Sequence, residues 1–342
     1  MIQNIIVMFY DTWTDDVSLH DGIPKGYSSM KDKKFKDWEI APWELKICKS
    51  KKLGEGSWAD VYLAEWKETY VVAKVMKSTS KNYLYLREFD NMTKMHHPNI
   101  VQLFGYVEDP FIIVMEYFPG IDLFDYITQR RTNEPLYKSG TYVVLYQLLK
   151  AVEYMASKGI MHRDIKPGNV LINTKNYEIK LIDYGDCTGQ NPSKHLKGTP
   201  LYICPKMALG ETYNKRVDVW SLGATIFKLL THTDLRSNIT QITNRNNMIR
   251  KVSAFNNKNA IQMVDQFNSV IPEVLRKLLK VMLNPKYNLN NMNNSSPKMH
   301  IQAICHPDND WMDYLTENII ERIRRGEDVG YFQDAEYFQN EL

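Results

Sequence analysis

Within the stretch MHRDIKPGNVL, residues 161–171, one carboxylate (Asp164), two cations (Arg163 and Lys166) and one side-chain amide (Asn169) crowd between two apolar runs. The Pro167-Gly168 pair in its middle is hostile to a helix, so the segment reads as a loop on which these groups can converge. A second cluster lies earlier. LGEGSWADVY (53–62) sets Gly54 and Gly56 in the turn between two β-type runs. Glycine there lets backbone amides approach a polyphosphate that any side chain would hold away. Alone, such a turn is a weak signal. A Walker-type loop is excluded, because GxxxxGK followed by Ser or Thr is absent from this stretch. VVAK (71–74) places Lys74 in an otherwise apolar strand, on the face of Val72 and Met76. A buried lone ammonium is expensive, so Lys74 needs an anion, and Glu88 is its natural partner.

These groups need elements to position them. VYLAEW (61–66) and YVVAKVM (70–76) flank KET and read as a hairpin, and IVQLFGYV (100–107) and FIIVMEY (111–117) as two more strands. Between them KNYLYLREFDNMTKM (81–95) spaces Leu84, Glu88, Met92 and Met95 as a helix, closed by HHPN. Beyond Pro119-Gly120 the pattern turns helical. GTYVVLYQLLKAVEYMASKG (140–159) is one amphipathic helix capped by Gly159. The fold class is therefore α+β in two lobes, a small β-rich lobe with one helix and a larger, mainly α-helical one. The lysine cluster KDKKFKDWE (31–39) reads as a solvated surface segment, the Asn-rich runs 238–247 and 288–297 as exposed insertions, and the segment from Pro307 as an acidic, partly helical tail.

Composition limits the function classes. The hydrophobic fraction of 44% and charged fraction of 24% are those of a globular protein, and a net charge of +3 gives no bulk pull toward nucleic acid or an anionic membrane. Cys48, Cys187, Cys204 and Cys305 lack CxxC spacing, which argues against zinc or a disulfide framework and for a reducing compartment. The apolar opening MIQNIIVMFY is far short of the ~20 residues of a membrane span. A cytoplasmic or nuclear location is expected.

Together these residues resemble the eukaryotic-type protein kinase family. HRDIKPGN resembles its catalytic loop, IDYG (182–185) its metal-binding motif, GTPLYICPK (198–206) the end of its activation segment and DVWSLG (218–223) the buried helix that anchors it. The likeness runs from about Lys46 to about His306. It implies an N-terminal extension over 1–45, a kinase domain over 46–308 with lobes at 46–117 and 118–308, and a tail over 309–342. It further implies an ATP- and Mg2+-dependent enzyme acting on Ser/Thr hydroxyls of protein substrates.

The resemblance carries roles residue by residue. Asp164 would orient or accept the hydroxyl proton, Lys166 neutralise the transferring group, and Asn169 and Asp183 hold magnesium. Lys74, braced by Glu88, would contact the phosphates under the loop Leu53, Gly54, Glu55, Gly56 and Ser57. Val61, Ala73 and Leu171 would enclose the purine beside Met115, with backbone groups of Glu116 and Phe118 on its edge and Asp122 on the ribose. Met92, Leu103, His162 and Tyr184 would stack as an apolar column through both lobes, His162 packing rather than acting as a base. Arg163 beside Asp164 is the feature of kinases whose activation segment docks on that arginine. Within that segment Thr199 would position Asp164 and Lys166, and Ser193 is the better regulatory candidate than Thr188.

Some positions depart from the family pattern. Ala59 replaces the third loop glycine and Tyr184 the usual Phe, whose added hydroxyl needs a partner. Lys206 stands where the family has a glutamate, and its late arginine partner is also missing, the position being Asn288 or Lys298. The usual ion pair cannot form, so the segment 186–206 is expected to be looser. Gly168 and Lys228 stand where basophilic kinases carry acids, so no strong demand for an arginine near the acceptor is expected. Two other readings follow from these departures and from the fold: a nucleotide-binding pseudokinase scaffold, and a phosphotransferase for small molecules.

Overall fold

The computed structural model describes residues 33–284 apart from 57, 78–81, 130–138, 191–192, 238, 240–244 and 272. Ser57, Asn288, Lys298, Cys305 and the tail 309–342 lie outside the described residues, as does the chain before residue 33.

The β-type runs fold into β1 (Leu45–Glu55), β2 (Ala59–Trp66), β3 (Thr69–Met76), β4 (Leu103–Val107) and β5 (Ile112–Glu116). They form one antiparallel sheet in the order β1-β2-β3-β5-β4. Lys67 and Glu68 both take positive φ (49° and 59°), the turn whose twist matches a two-residue hairpin. Helix α1 (Asn82–Thr93) lies on one face of the sheet, where Leu86, Phe89 and Met92 share a core with Met76, Leu103, Tyr106 and Ile113.

The lysine cluster read as a solvated segment is an anchor instead. Lys33–Trp38 forms a 3-10 turn whose Phe35 is fully buried, edge-on to Phe89 at 5.3 Å, with Trp38 edge-on to the same ring at 6.2 Å. The chain then bonds to β4 through Ile40 N–H and the Tyr106 carbonyl (2.7 Å). Gly105 permits this approach, since a Cβ there would meet the Trp38 carbonyl at 2.4 Å. Lys36 is exposed as composition suggests, but Phe35 beside it is buried and Trp38 half-buried. This segment therefore packs with the small lobe rather than standing apart as an extension.

Past the link at 117–120 come β6 (Ile121–Asp122), α2 (Leu123–Gln129), α3 (Ser139–Ser157), β7 (Val170–Ile172) and β8 (Ile179–Leu181). β6, β7 and β8 pair as a small sheet under the link. Strands of two or three residues leave no periodic signal in a sequence. Helices α4 (Pro205–Ala208), α5 (Arg216–Thr231), α6 (Arg245–Ala254), α7 (Asn257–Gln266) and α8 (Glu273–Leu283) complete the large lobe. α5 is buried almost all round, from Val217 to Thr231. α8 closes against it at Gly223, where a Cβ would already be 3.1 Å from Met282 and Leu283. The lobes join through Val101 N–H to the Leu181 carbonyl (3.0 Å) and Leu181 N–H to the Asn99 carbonyl (2.8 Å). No helix among the described residues is long and apolar enough to cross a membrane.

Phe35→Ala is expected to lower the unfolding free energy by about 3 kcal/mol, the cost of emptying a fully buried aromatic site. Denaturant titration of the variant checks this, and a loss below about 1 kcal/mol would mean that the segment only rests on the sheet.

Candidate active site

The loop 161–169 is fastened from beneath. Asp218, in the first turn of α5, is buried, and its carboxylate accepts the backbone N–H of His162 (2.7 Å) and of Arg163 (2.8 Å). Arg163 needs that hold, because its φ of 69° lies in the left-handed region, which costs a non-glycine residue about 1–3 kcal/mol. Its guanidinium donates onward to the Asp186 carbonyl (2.7 Å) and the Tyr213 hydroxyl (3.4 Å). His162 is fully buried, donating from Nε2 to the Ile182 carbonyl (3.2 Å), which suits packing and not proton transfer.

So anchored, the loop presents Asp164. Its Oδ1 accepts the Thr199 hydroxyl (2.6 Å), and its Oδ2 accepts the Asn169 amide (2.9 Å) and pairs with Lys166 Nζ (2.8 Å). Lys166 also donates to Thr199 Oγ1 (2.9 Å), closing a triangle of carboxylate, ammonium and hydroxyl. Burial pushes the Asp164 carboxyl above the ordinary range, with Lys166 acting against the rise and Asp186 adding to it.

A second cluster centres on Lys74, with Nζ 2.6 Å from Glu88 Oε1 and 3.6 Å from Asp183 Oδ1. The anion that a buried lysine demands is thus Glu88, with Asp183 as a second. Burial works against the Lys74 charge, but Glu88 and Asp183 outweigh it and raise its pKa above the ordinary value. Glu88 is itself pushed up by burial, against the pull of Lys74. Burial also works to raise the Asp183 carboxyl, yet Lys74, Lys166 and His162 hold it below its ordinary range. Asp183 shares the strained backbone of Arg163 (φ 65°) and remains half-exposed to the cleft.

The glycine turn closes the cleft above. A Cβ on Gly54 would meet nothing nearer than Val61 at 3.7 Å, and one on Gly56 nothing nearer than the Ala59 carbonyl at 3.5 Å. Among the described residues nothing forbids side chains there, so the backbone of the turn is left open by choice of residue and not by crowding. Ala59 turns its methyl into the core, so the missing third glycine does not crowd the turn. Leu53 is exposed. Glu55 pairs with Lys52 (2.7 Å) and Lys77 (3.4 Å), and both lysines also reach Asp60, which ties the turn to β2 and β3.

One predicted wall residue needs correction. Ala73 is fully buried on the far face of the sheet, cross-strand from Tyr62 and Val114. Side chains alternate along a strand, so the neighbour that shares the Lys74 face is Val72, paired with Leu63 and Met115. The signal was present in the alternation that put Lys74 with Val72 and Met76. Val61, cross-strand from Lys74, does lie on the cleft face. Met115 and Leu171 are half-buried, Leu171 being paired with Asp122 across β6 and β7. The Glu116 amide is committed to the Gln102 carbonyl (2.8 Å) and its carboxylate to Lys180 (2.8 Å), leaving its carbonyl as the group that can face a base. Phe118 is buried. Asp122 accepts the Asp125 amide (2.7 Å) at the start of α2, and burial pushes its carboxyl up.

Met92, Leu103, His162 and Tyr184 are all buried, with His162 and Tyr184 rings 5.5 Å apart. The extra hydroxyl of Tyr184 donates to the Leu181 carbonyl (3.0 Å). Ser193, the candidate regulatory site, is 2% exposed and its backbone exchanges hydrogen bonds with Tyr213 (3.0 and 2.9 Å). Thr188, Thr199 and Tyr202 are buried too, so no hydroxyl of the segment 186–206 is presented at the surface.

Magnesium suits the donor set. Asn169 spends its amide hydrogens on the Asp164 carbonyl (2.8 Å) and carboxylate (2.9 Å), which leaves its side-chain oxygen as an acceptor, and its backbone carbonyl takes the amide of Ile182, the residue before the half-exposed Asp183 (2.9 Å). A carboxylate and an amide oxygen fit a hard cation that keeps waters and shares substrate phosphates. Among the described residues no cluster of three His, Cys, Asp or Glu side chains gathers for a metal. A site with two protein donors is what that chemistry asks for.

Comparison with known proteins adds an independent line. The family model described as "Protein kinase domain" matches residues 47–294. The chain is similar to calcium-dependent protein kinase 4 of Plasmodium falciparum, 36% identical over 194 residues that span 52% of this chain and 36% of the relative. It is similar to an Aurora kinase of Saccharomyces cerevisiae, 33% over 217 residues, 60% of this chain and 57% of the relative. A third relative is the serine/threonine-protein kinase ULK3 of Xenopus laevis, 33% over 194 residues, 53% of this chain and 41% of the relative. The chain thus spans between about a third and three fifths of the length of these relatives.

Asp218→Ala orphans two buried amides at roughly 1–3 kcal/mol each, so stability is expected to fall by about 3 kcal/mol. Amide exchange at His162 and Arg163 should rise with it. Unchanged protection of those two amides would show that the loop is held elsewhere.

Proposed function

The chain belongs to the protein kinase family, and we propose that it transfers the γ-phosphoryl group of ATP to serine or threonine hydroxyls of proteins. The observation that carries this reading is the Asp164–Lys166–Thr199 triangle together with the Lys74–Glu88–Asp183 cluster, linked by Asp183, on whose carboxylate both Lys74 and Lys166 act. Phosphoryl transfer asks a protein mainly for positioning and for charge stabilisation, and this cleft supplies both.

Lys74, permanently cationic and steered by Glu88, holds the phosphates under the glycine turn. Val61, Val72, Met115 and Leu171 enclose the purine, and Asp122 accepts from the ribose. Asn169 and Asp183 would hold Mg2+, which when bound neutralises charge on the phosphates. Asp164 takes the hydroxyl proton of the acceptor as the new bond forms, and Lys166 stabilises the charge gathering on the transferring oxygens. Thr199 keeps carboxylate and ammonium in register. The Lys166–Thr199 contact matches the serine/threonine pattern. The segment 198–206 supports a protein acceptor in place of a small molecule, since its turn at 199–203 is tied to the loop through the Thr199 hydroxyl.

Incubation of the purified chain with radiolabelled ATP, magnesium and a generic protein acceptor tests the reading. Label should appear on Ser or Thr and fall about a thousand-fold in Asp183→Ala. Retention of nucleotide without any transfer would favour a scaffold.

The pH profile gives a second test. Protonated Asp164 cannot accept a proton, so activity should fall as pH drops through its raised pKa, at higher pH than an ordinary aspartate would give. Lys166→Met removes the cation that restrains this pKa. It should lower kcat about a hundred-fold and move the acid limb upward, whereas an unmoved limb would detach Asp164 from the proton.

A further inference from the structure

After α5 the chain turns through His232, in the left-handed conformation (φ 57°), and delivers Arg236 into the core. Arg236 is fully buried. Its guanidinium lies 4.4 Å from the Trp220 ring centroid and 5.3 Å from that of Phe255. Nη1 donates to three carbonyls of one short segment, Ile203 (2.7 Å), Pro200 (2.9 Å) and Leu201 (3.2 Å). Nε and Nη2 find no hydrogen-bond partner among the described residues, and no carboxylate there pairs with it. Burial pulls its pKa down to about 9, which still leaves it charged at neutral pH.

A fully buried guanidinium without a carboxylate is a costly choice. Leu or Met would fill the same aromatic slot without that cost. What arginine alone adds is a charged donor around which residues 200–203 curl. Those residues continue directly from Thr199, whose hydroxyl holds Asp164 and Lys166. Gly198, the next residue back, lies so close to the loop that a Cβ would meet the Arg163 carbonyl at 2.2 Å. The same turn makes a second hold, since Asp234 accepts the Tyr202 hydroxyl (2.9 Å) and is itself paired with Lys228 (3.1 Å). Lys206, the other place from which a pair could brace this segment, is exposed.

We propose that Arg236 is the positioning residue of the acceptor platform: its hydrogen bonds to the carbonyls of Pro200, Leu201 and Ile203 hold residues 199–203 in register with Asp164, in place of an ion pair at residue 206. The segment expected to be loose is braced by a cation reaching its backbone. This rests on the kinase reading for what the platform receives, but the clamp itself can be measured without turnover.

The test uses the full chain with Arg236→Met, which keeps an apolar stem and loses every donor, and Arg236→Lys, which returns a cation on a single nitrogen without the planar fork. The amides of Tyr202 and Ile203, both bonded to the Thr199 carbonyl (2.8 and 3.0 Å), should exchange about ten-fold faster in the methionine variant, as the loss of a charged hydrogen bond implies. KM for the protein acceptor should rise by about the same factor while KM for MgATP stays within about two-fold, and the lysine variant should fall between. Wild-type exchange and acceptor KM in the methionine variant would overturn the proposal, reducing Arg236 to core filling. Equal losses in both KM values would overturn it too. Should the methionine variant fail to fold, the lysine variant decides, and wild-type exchange at Tyr202 and Ile203 in it counts against the clamp. A wild-type chain that binds MgATP but labels no acceptor would sink the kinase reading and leave the exchange result standing.

Discussion

The carboxylate of Asp218, buried at the start of α5, is the contact on which the site rests. It accepts two consecutive amides, and without it Arg163 has no reason to keep a strained backbone. With Arg163 held, Asp164 points to the cleft and the Arg163 guanidinium reaches back to Asp186 and Tyr213. α5 can serve as a base plate because its sides are buried from Val217 to Thr231, so it cannot shift without disturbing the whole large lobe. The same helix leads directly into Asp234 and Arg236. One rigid element thus fastens the loop that carries Asp164 at one end and residues 199–203 at the other.

Charge is the second organising constraint. Two clusters are linked by Asp183, Lys74 between Glu88 and Asp183, and Lys166 between Asp164 and Thr199. Each takes charge out of water at a cost that only opposite charges close by can offset. That cost is tolerated because fixed groups need no reorganisation when negative charge arrives. The small lobe contributes by fixing α1. Glu88 and Phe89 are neighbours on that helix, one reaching Lys74 and the other receiving Phe35 and Trp38. An aromatic contact in the core of the small lobe and an ion pair inside the cleft therefore constrain the same turn of helix.

The chemistry was legible in the sequence because it resides in side-chain type and local spacing. Asp164, Lys166 and Asn169 share one loop, a lysine in an apolar strand must find an acid, and glycines in a turn leave backbone bare. The five-strand lobe and the long helices were legible for the same reason, as period-2 and 3.6-residue patterns. Val72 could have been found too, since alternation with Lys74 excludes Ala73 from the cleft face.

Other features had no local signature. Phe35 sits among lysines, and only the closeness of Phe89 and the bare backbone of Gly105 turn that run into an anchor. Ser193 looks available until Tyr213 pairs with its backbone from twenty residues away. Lys206 announces a missing ion pair, but nothing near it in the chain points to Arg236 as the substitute. What sequence alone determined here is which groups are present and which period each segment follows. Which distant carbonyls a buried cation meets, and which surface residues are covered, depends on how helices and strands far apart in the chain come to pack.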